Sequence, residues 1–156
     1  MHINTNIIKN GLSRRVGGYK DGWFVTIDTN KFESDMDREK LYTFVNNKVP
    51  TIVSAMDKFC FGRSGKKLKV AKAIEFGNDT RRLHIHMMML HRGDCDRTLC
   101  EFKNHLFNKV IFPVVRMRGA SAIDVKSFDP NEDWVNYFVK STNNIHSKFG
   151  GFLNIE

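Results

Sequence analysis

Leu83-His84-Ile85-His86-Met87-Met88-Met89-Leu90 decides how the rest of the chain is read. With the period of two that a strand imposes, Leu83, Ile85, Met87 and Met89 point to one side and can enter a core. His84 and His86 point to the other, side by side, and Met88 and Leu90 continue that face. Two imidazoles at i and i+2 of a strand can reach one metal ion, which a helix achieves only at i+3 or i+4. By itself a His-x-His pair is also what two half-exposed imidazoles on a sheet look like. The segment upstream separates the two readings.

Leu68 to Phe76 alternates as well, with Leu68, Val70, Ile74 and Phe76 on one face and Lys69, Ala71, Ala73 and Glu75 on the other. Between the two runs, Gly77-Asn78-Asp79-Thr80-Arg81-Arg82 is rich in turn formers. A hairpin looping through Asn78 to Arg81 sets Glu75 opposite His84 and Ala73 opposite His86. Directly opposed residues share a face, so one carboxylate and two imidazoles converge and a small alanine leaves space beside them. Two nitrogens and one oxygen suit a borderline divalent ion such as Mn²⁺, or Mg²⁺ where waters complete the shell.

The chain has 156 residues and 41% hydrophobic content, which fits one domain with a real core. Its net charge of +8 and pI near 9.5 point to polyanionic partners. The charge is clustered. Residues 1–20 carry Lys9, Arg14, Arg15 and Lys20 without an acid, in a glycine-rich stretch that reads as a basic arm over 1–22. Residues 58–72 carry Lys58, Arg63, Lys66, Lys67, Lys69 and Lys72, again without one, and Arg81 and Arg82 sit in the hairpin turn. Gly62-Arg63-Ser64-Gly65-Lys66-Lys67 lacks the spacing of a nucleotide-binding loop and reads as a solvated loop able to touch nucleic acid. Cys60, Cys95 and Cys100 form no CxxC and leave one over, which suits a reducing compartment. His91, Cys95, Cys100 and His105 match no zinc spacing. No apolar run approaches the ~20 residues of a membrane span, and the N-terminus is polar where a signal peptide is apolar. The expectation is a soluble protein that stays inside the cell.

Trp23 to Asp28 alternates as a first strand, with Trp23, Val25 and Ile27 on one face and Phe24 and Thr26 on the other. From about Ser34 to Phe59 the period becomes helical, and Pro50 divides or kinks that helix. Thr98-Leu99-Cys100-Glu101 is a capping box opening a second helix, which Pro113 closes. Ser121 to Phe128 supplies another strand, with Ile123 and Val125 inward. Asp129-Pro130-Asn131-Glu132 opens a last helix, on which Tyr137 and Lys140 share a face.

A hairpin bearing Glu, His and His and a helix bearing Tyr-x-x-Lys form a chemically complete set. Here the chain resembles the HUH endonucleases, in particular the single-tyrosine replication initiator (Rep) branch. The resemblance rests on Phe24-Val25-Thr26-Ile27, Glu75, His84-Ile85-His86 and Tyr137-Phe138-Val139-Lys140, in that order across residues 23–140. Lysine three after the tyrosine favours Rep proteins over related transposases, and a single candidate tyrosine argues against two-tyrosine initiators.

The resemblance implies an α+β, ferredoxin-like or RRM-like fold over 23–156, its mainly antiparallel sheet carrying helices on one side and the site on the open face. It implies that Glu75, His84 and His86 hold Mn²⁺ or Mg²⁺, and that Tyr137, assisted by Lys140, nicks and rejoins single-stranded DNA through a 5′-phosphotyrosine. Arg14, Arg15, Arg63, Lys66, Lys67, Lys69, Arg81 and Arg82 would contact that DNA. The implied role is initiation of rolling-circle replication of a virus or plasmid at an origin hairpin or loop. The setting would be the cytoplasm of a prokaryotic host or the nucleus of a eukaryotic one. The family's longer members continue into a helicase domain, so the chain is either a nuclease domain of a longer protein or an initiator using a helicase in trans. Two readings compete: a non-catalytic RRM-like binder of single-stranded nucleic acid, and a metal-dependent phosphodiesterase that uses water. Tyr19 and Tyr42 are the other tyrosines, one in the arm and one on a core helix.

Overall fold

In a computed structural model of the chain, which describes residues 5–32, 38–76, 82–113, 123–132 and 154–155, the alternating runs become strands of one sheet. They are β1 (Asp21–Phe32), β2 (Lys69–Phe76), β3 (Arg82–His91), β4 (Ile123–Ser127) and the two-residue β5 (Asn154–Ile155). Their order is β4-β1-β3-β2-β5, with each neighbouring pair antiparallel. The β2–β3 register sets Glu75 opposite His84, Ala73 opposite His86 and Phe76 opposite Leu83, as the hairpin reading predicts.

Helices α2 (Arg38–Asn46) and α3 (Val49–Phe61) connect β1 to β2. Pro50 stands in the first turn of α3, where its missing N–H costs nothing, so the chain breaks between the two. Helix α4 (Leu99–His105) and its π-helical extension Leu106–Ile111 lie between β3 and β4. The capping box forms: the Glu101 N–H donates to Thr98 Oγ1 at 3.2 Å and the Thr98 N–H to Glu101 Oε2 at 2.8 Å. This β-α-β-β-α-β order with strands 4-1-3-2 is the ferredoxin-like arrangement.

The main core lies between one sheet face and these helices. Trp23, Val25 and Ile27 meet Leu83, Ile85, Met87 and Met89, and Ile52, Met56, Phe102 and Leu106 close over them. Trp23 stacks on Phe102 with ring centroids 3.9 Å apart. The basic arm is where the structure differs from the sequence reading. Residues Thr5–Val16 form a helix, α1. Asn6, Asn10, Gly11 and Ser13 are weak helix formers, which hides it from a propensity reading. Val16 at its end is buried on the opposite sheet face, against Ala71, Ala73, Met88 and Leu90. Among the described residues no helix is long and apolar enough to cross a membrane.

Candidate metal centre on the second sheet face

The central position of β3 builds the site. His84 faces Glu75 on β2 and Asp28 on β1, and His86 faces Ala73 and Thr26 in the same way. A carboxylate position therefore flanks His84 on each side. Asp28 Oδ2 lies 3.6 Å from His84 Nε2, too far for a good hydrogen bond though within ion-pair reach. Thr26 Oγ1 lies 3.2 Å from His86 Nδ1. When the hydroxyl accepts from Nδ1–H, Nε2 carries the ring's lone pair, which is how a hydrogen bond to the far nitrogen orients a metal-binding histidine. The two imidazoles stand edge to face, with centroids 6.2 Å apart.

Access is uneven along this face. His86 is only 3% exposed, whereas the His84 side chain is 23% exposed. Ala73, read as leaving space for a ligand, is fully buried. Val16 at the end of α1 belongs to the same apolar cluster, so that side is closed. The exposure of the pair is at His84, with Asp28 beside it buried. Among the described side chains no three of His, Cys, Asp and Glu form a ready metal-binding group. The Glu75 side chain lies outside the described residues, so its place is given by backbone register. Two imidazoles, the His84 one flanked on both neighbouring strands by carboxylate positions, are a donor set that fits a borderline divalent ion.

Tyr137 and Lys140 lie outside the described residues, as does Arg81; the backbones of Arg15 and Arg82 are described without their side chains. Where the sequence is expected to open the helix of Tyr137, the Asn131 N–H donates to Asp129 Oδ1 at 2.8 Å. Tyr42 stands on the helical side, packed against the main core, and burial pushes its phenol above the ordinary value. Tyr19 packs against the Ala71 and Leu90 end of the opposite face, under the guanidinium of Arg92. Arg14 is exposed on α1, and Arg63, Lys66 and Lys67 are exposed beyond α3. Lys69 faces Leu90, six positions along the ladder from the Glu75–His84 pair and so ~20 Å from it. The structure therefore does not bring these lysines to the histidines.

The imagined zinc set is dispersed: the Gly93 N–H donates to His91 Nδ1, His105 stacks on Phe59, and Cys95 is hydrogen-bonded with Cys60. Burial, then that hydrogen bond, raise the Cys60 thiol well above its ordinary value, which keeps it protonated and unreactive.

Asp28 and the role of Thr26 escaped the sequence reading. The available signal was position: both follow Phe24 at intervals of two, on the face opposite Trp23, Val25 and Ile27. Comparison with protein-family models, curated proteins and solved structures gave no match to this chain.

Thr26→Val keeps the shape and removes the hydroxyl from His86. It should weaken Mn²⁺ binding roughly tenfold, the lower end of second-shell effects. Calorimetric titration with Mn²⁺ reads this directly, and unchanged affinity would remove Thr26 from the site.

Proposed function

We propose that the chain nicks and rejoins single-stranded DNA with Tyr137 as nucleophile, as a rolling-circle replication initiator of a virus or plasmid does. The observation that carries this reading is the register placing Glu75 and Asp28 on either side of His84, one step from His86, on a single sheet face. Glu75, His84 and His86 would hold Mn²⁺ or Mg²⁺, with Asp28 beside them. When bound, such an ion supplies a Lewis acid for the scissile phosphate.

Thr26 orients His86, and the buried surroundings of His86 exclude water from that flank. The Tyr137 hydroxyl attacks phosphorus in line. The P–O bond to the preceding sugar breaks, a 3′-OH leaves, and the 5′-phosphate stays on the tyrosine. The same bond, attacked by a 3′-OH, rejoins the ends. A phenol has a pKa near ~10, so the attack needs help. Lys140, three residues on in the sequence, would favour the phenolate or meet the phosphate charge. In this role the protein would act in the cytoplasm of a prokaryotic host or the nucleus of a eukaryotic one, with a helicase in the same chain or in trans.

A non-catalytic RRM-like module would share this topology. Such modules set aromatic rings on the sheet for stacking, whereas here Phe24 packs into the apolar cluster with Val16 and the positions beyond it are Thr26, Asp28, His84 and His86. That difference favours the catalytic reading. Incubation with Mn²⁺ and a single-stranded oligonucleotide library should give a protein–DNA adduct that survives denaturation, and EDTA should abolish it. Cleavage without an adduct would make water the nucleophile. Binding without cleavage would leave the module.

A further inference from the structure

We propose that a groove between α3 and the start of β2, remote from the histidine pair, is a separate binding track for the sugar–phosphate backbone of single-stranded DNA. One wall is a stripe of α3 including Ser54 and Asp57, the other runs from Lys67 into the start of β2 at Val70, and Tyr19 lines it too; the cavity is ≈ 450 Å³. A second hollow of ≈ 630 Å³ adjoins it, sharing Ser54, Asp57 and Lys67 and reaching Lys58, Arg63 and Lys66.

Charge identifies the occupant. Five cations, Lys58, Arg63, Lys66, Lys67 and Lys69, line the two hollows. Two described acids lie against them: Asp57, whose Oδ1 accepts the Leu68 N–H at 2.8 Å and which interacts electrostatically with Lys67, and Asp94, which pairs with Lys66 at 3.2 Å. Among the described residues no carboxylate comes within ion-pairing distance of Lys58, Arg63, Lys67 or Lys69. Gly62 and Gly65, at φ of 60° and 76°, turn the backbone in a way side-chain-bearing residues rarely adopt, and the cations between and after them are exposed. Tyr19, with Arg92 5.3 Å over its ring, adds an aromatic surface beside the lysines. Cations tracking a concave groove with an aromatic in its wall are the makings of a single-strand site.

The groove and the histidines lie apart along β2. Lys69 alternates onto the sheet face that carries Glu75, six positions and ~20 Å away. Between them α1 covers Ala71 and Ala73 through Val16, with Arg14 exposed two residues earlier. A strand held at the groove is thus gripped several phosphates from the bond to be cut, and that grip needs no metal. The inference rests on the proposed function only in naming DNA as the strand.

The test is fluorescence anisotropy with the whole chain in EDTA, using oligo-dT of roughly 20 nucleotides, longer than a typical ~4–16-nucleotide site. Lys67→Gln with Lys69→Gln should raise Kd on the order of tenfold and lower the salt slope by about 1.4, ~0.7 for each lost phosphate contact. Arg63→Gln, on the exposed loop, should weaken binding independently. Lys103→Gln with Lys109→Gln removes the same charge from the second crossover helix and should stay within about twofold of the parent. A groove variant that keeps the parent Kd and slope overturns the proposal. So does a control that loses as much, or a parent that binds blunt duplex equally well. The adduct assay separates the two readings: no adduct from the parent, with binding still lost in the groove variant, sinks the nicking function and leaves the groove standing.

Discussion

His84→Ala should lower metal-dependent nicking by roughly 10²–10³-fold, the several kcal/mol of phosphate-charge stabilisation that a Lewis acid contributes. His84 is the better test of the pair because its side chain is partly exposed, whereas His86 is buried between Thr26 and Ala73. Truncating His84 leaves no sealed cavity, so the melting temperature should stay close to the parent's. His86→Ala should lose as much activity and also some stability, since it empties a packed position. The measurement is initial nicking rate against Mn²⁺ concentration, with thermal unfolding alongside. Near-parent rates for both variants at saturating Mn²⁺ would remove the histidines from the chemistry.

Phe102→Ala tests the fold that positions the site. Phe102 is fully buried and stacks on Trp23 at 3.9 Å, joining α4 to β1, the strand that carries Thr26 and Asp28. Losing a buried phenyl ring costs about 3–5 kcal/mol, through lost transfer energy and the cavity left behind. Urea unfolding should show a markedly lower midpoint at unchanged slope. A loss under ~1 kcal/mol would mean that the layer around α4 collapses easily onto Trp23.

What was legible in the sequence was whatever depends on near neighbours. Period-two alternation and the turn formers at 77–82 gave the Glu75–His84 register, because a one-residue slip would bury the wrong face. Pro50 marked the break between α2 and α3, and Thr98 with Glu101 the start of α4. The partners of the histidines on β1 were not legible in this way. Asp28 and Thr26 come to His84 and His86 through a β1–β3 pairing across some sixty residues of chain, which no local pattern encodes. The covering of Ala73 was hidden for a related reason. It depends on where Val16 of α1 lands, and α1 itself is composed of residues that do not advertise a helix. Charge was visible in the sequence but its place was not: Lys69 opens β2 and Lys67 precedes it, at the end of the strand far from the histidines.

The covalent intermediate tests the central claim most directly. With Mn²⁺ and a single-stranded oligonucleotide that the protein cleaves, intact-mass analysis should show a gain equal to the 3′ fragment joined through its 5′-phosphate. Peptide mapping should place that fragment on Tyr137, and Tyr137→Phe, which removes only the attacking oxygen, should bind the oligonucleotide normally and form no adduct. A Phe variant that still cuts at the parent rate, or an adduct mapped to Tyr19 or Tyr42, would contradict the assignment of Tyr137 as nucleophile.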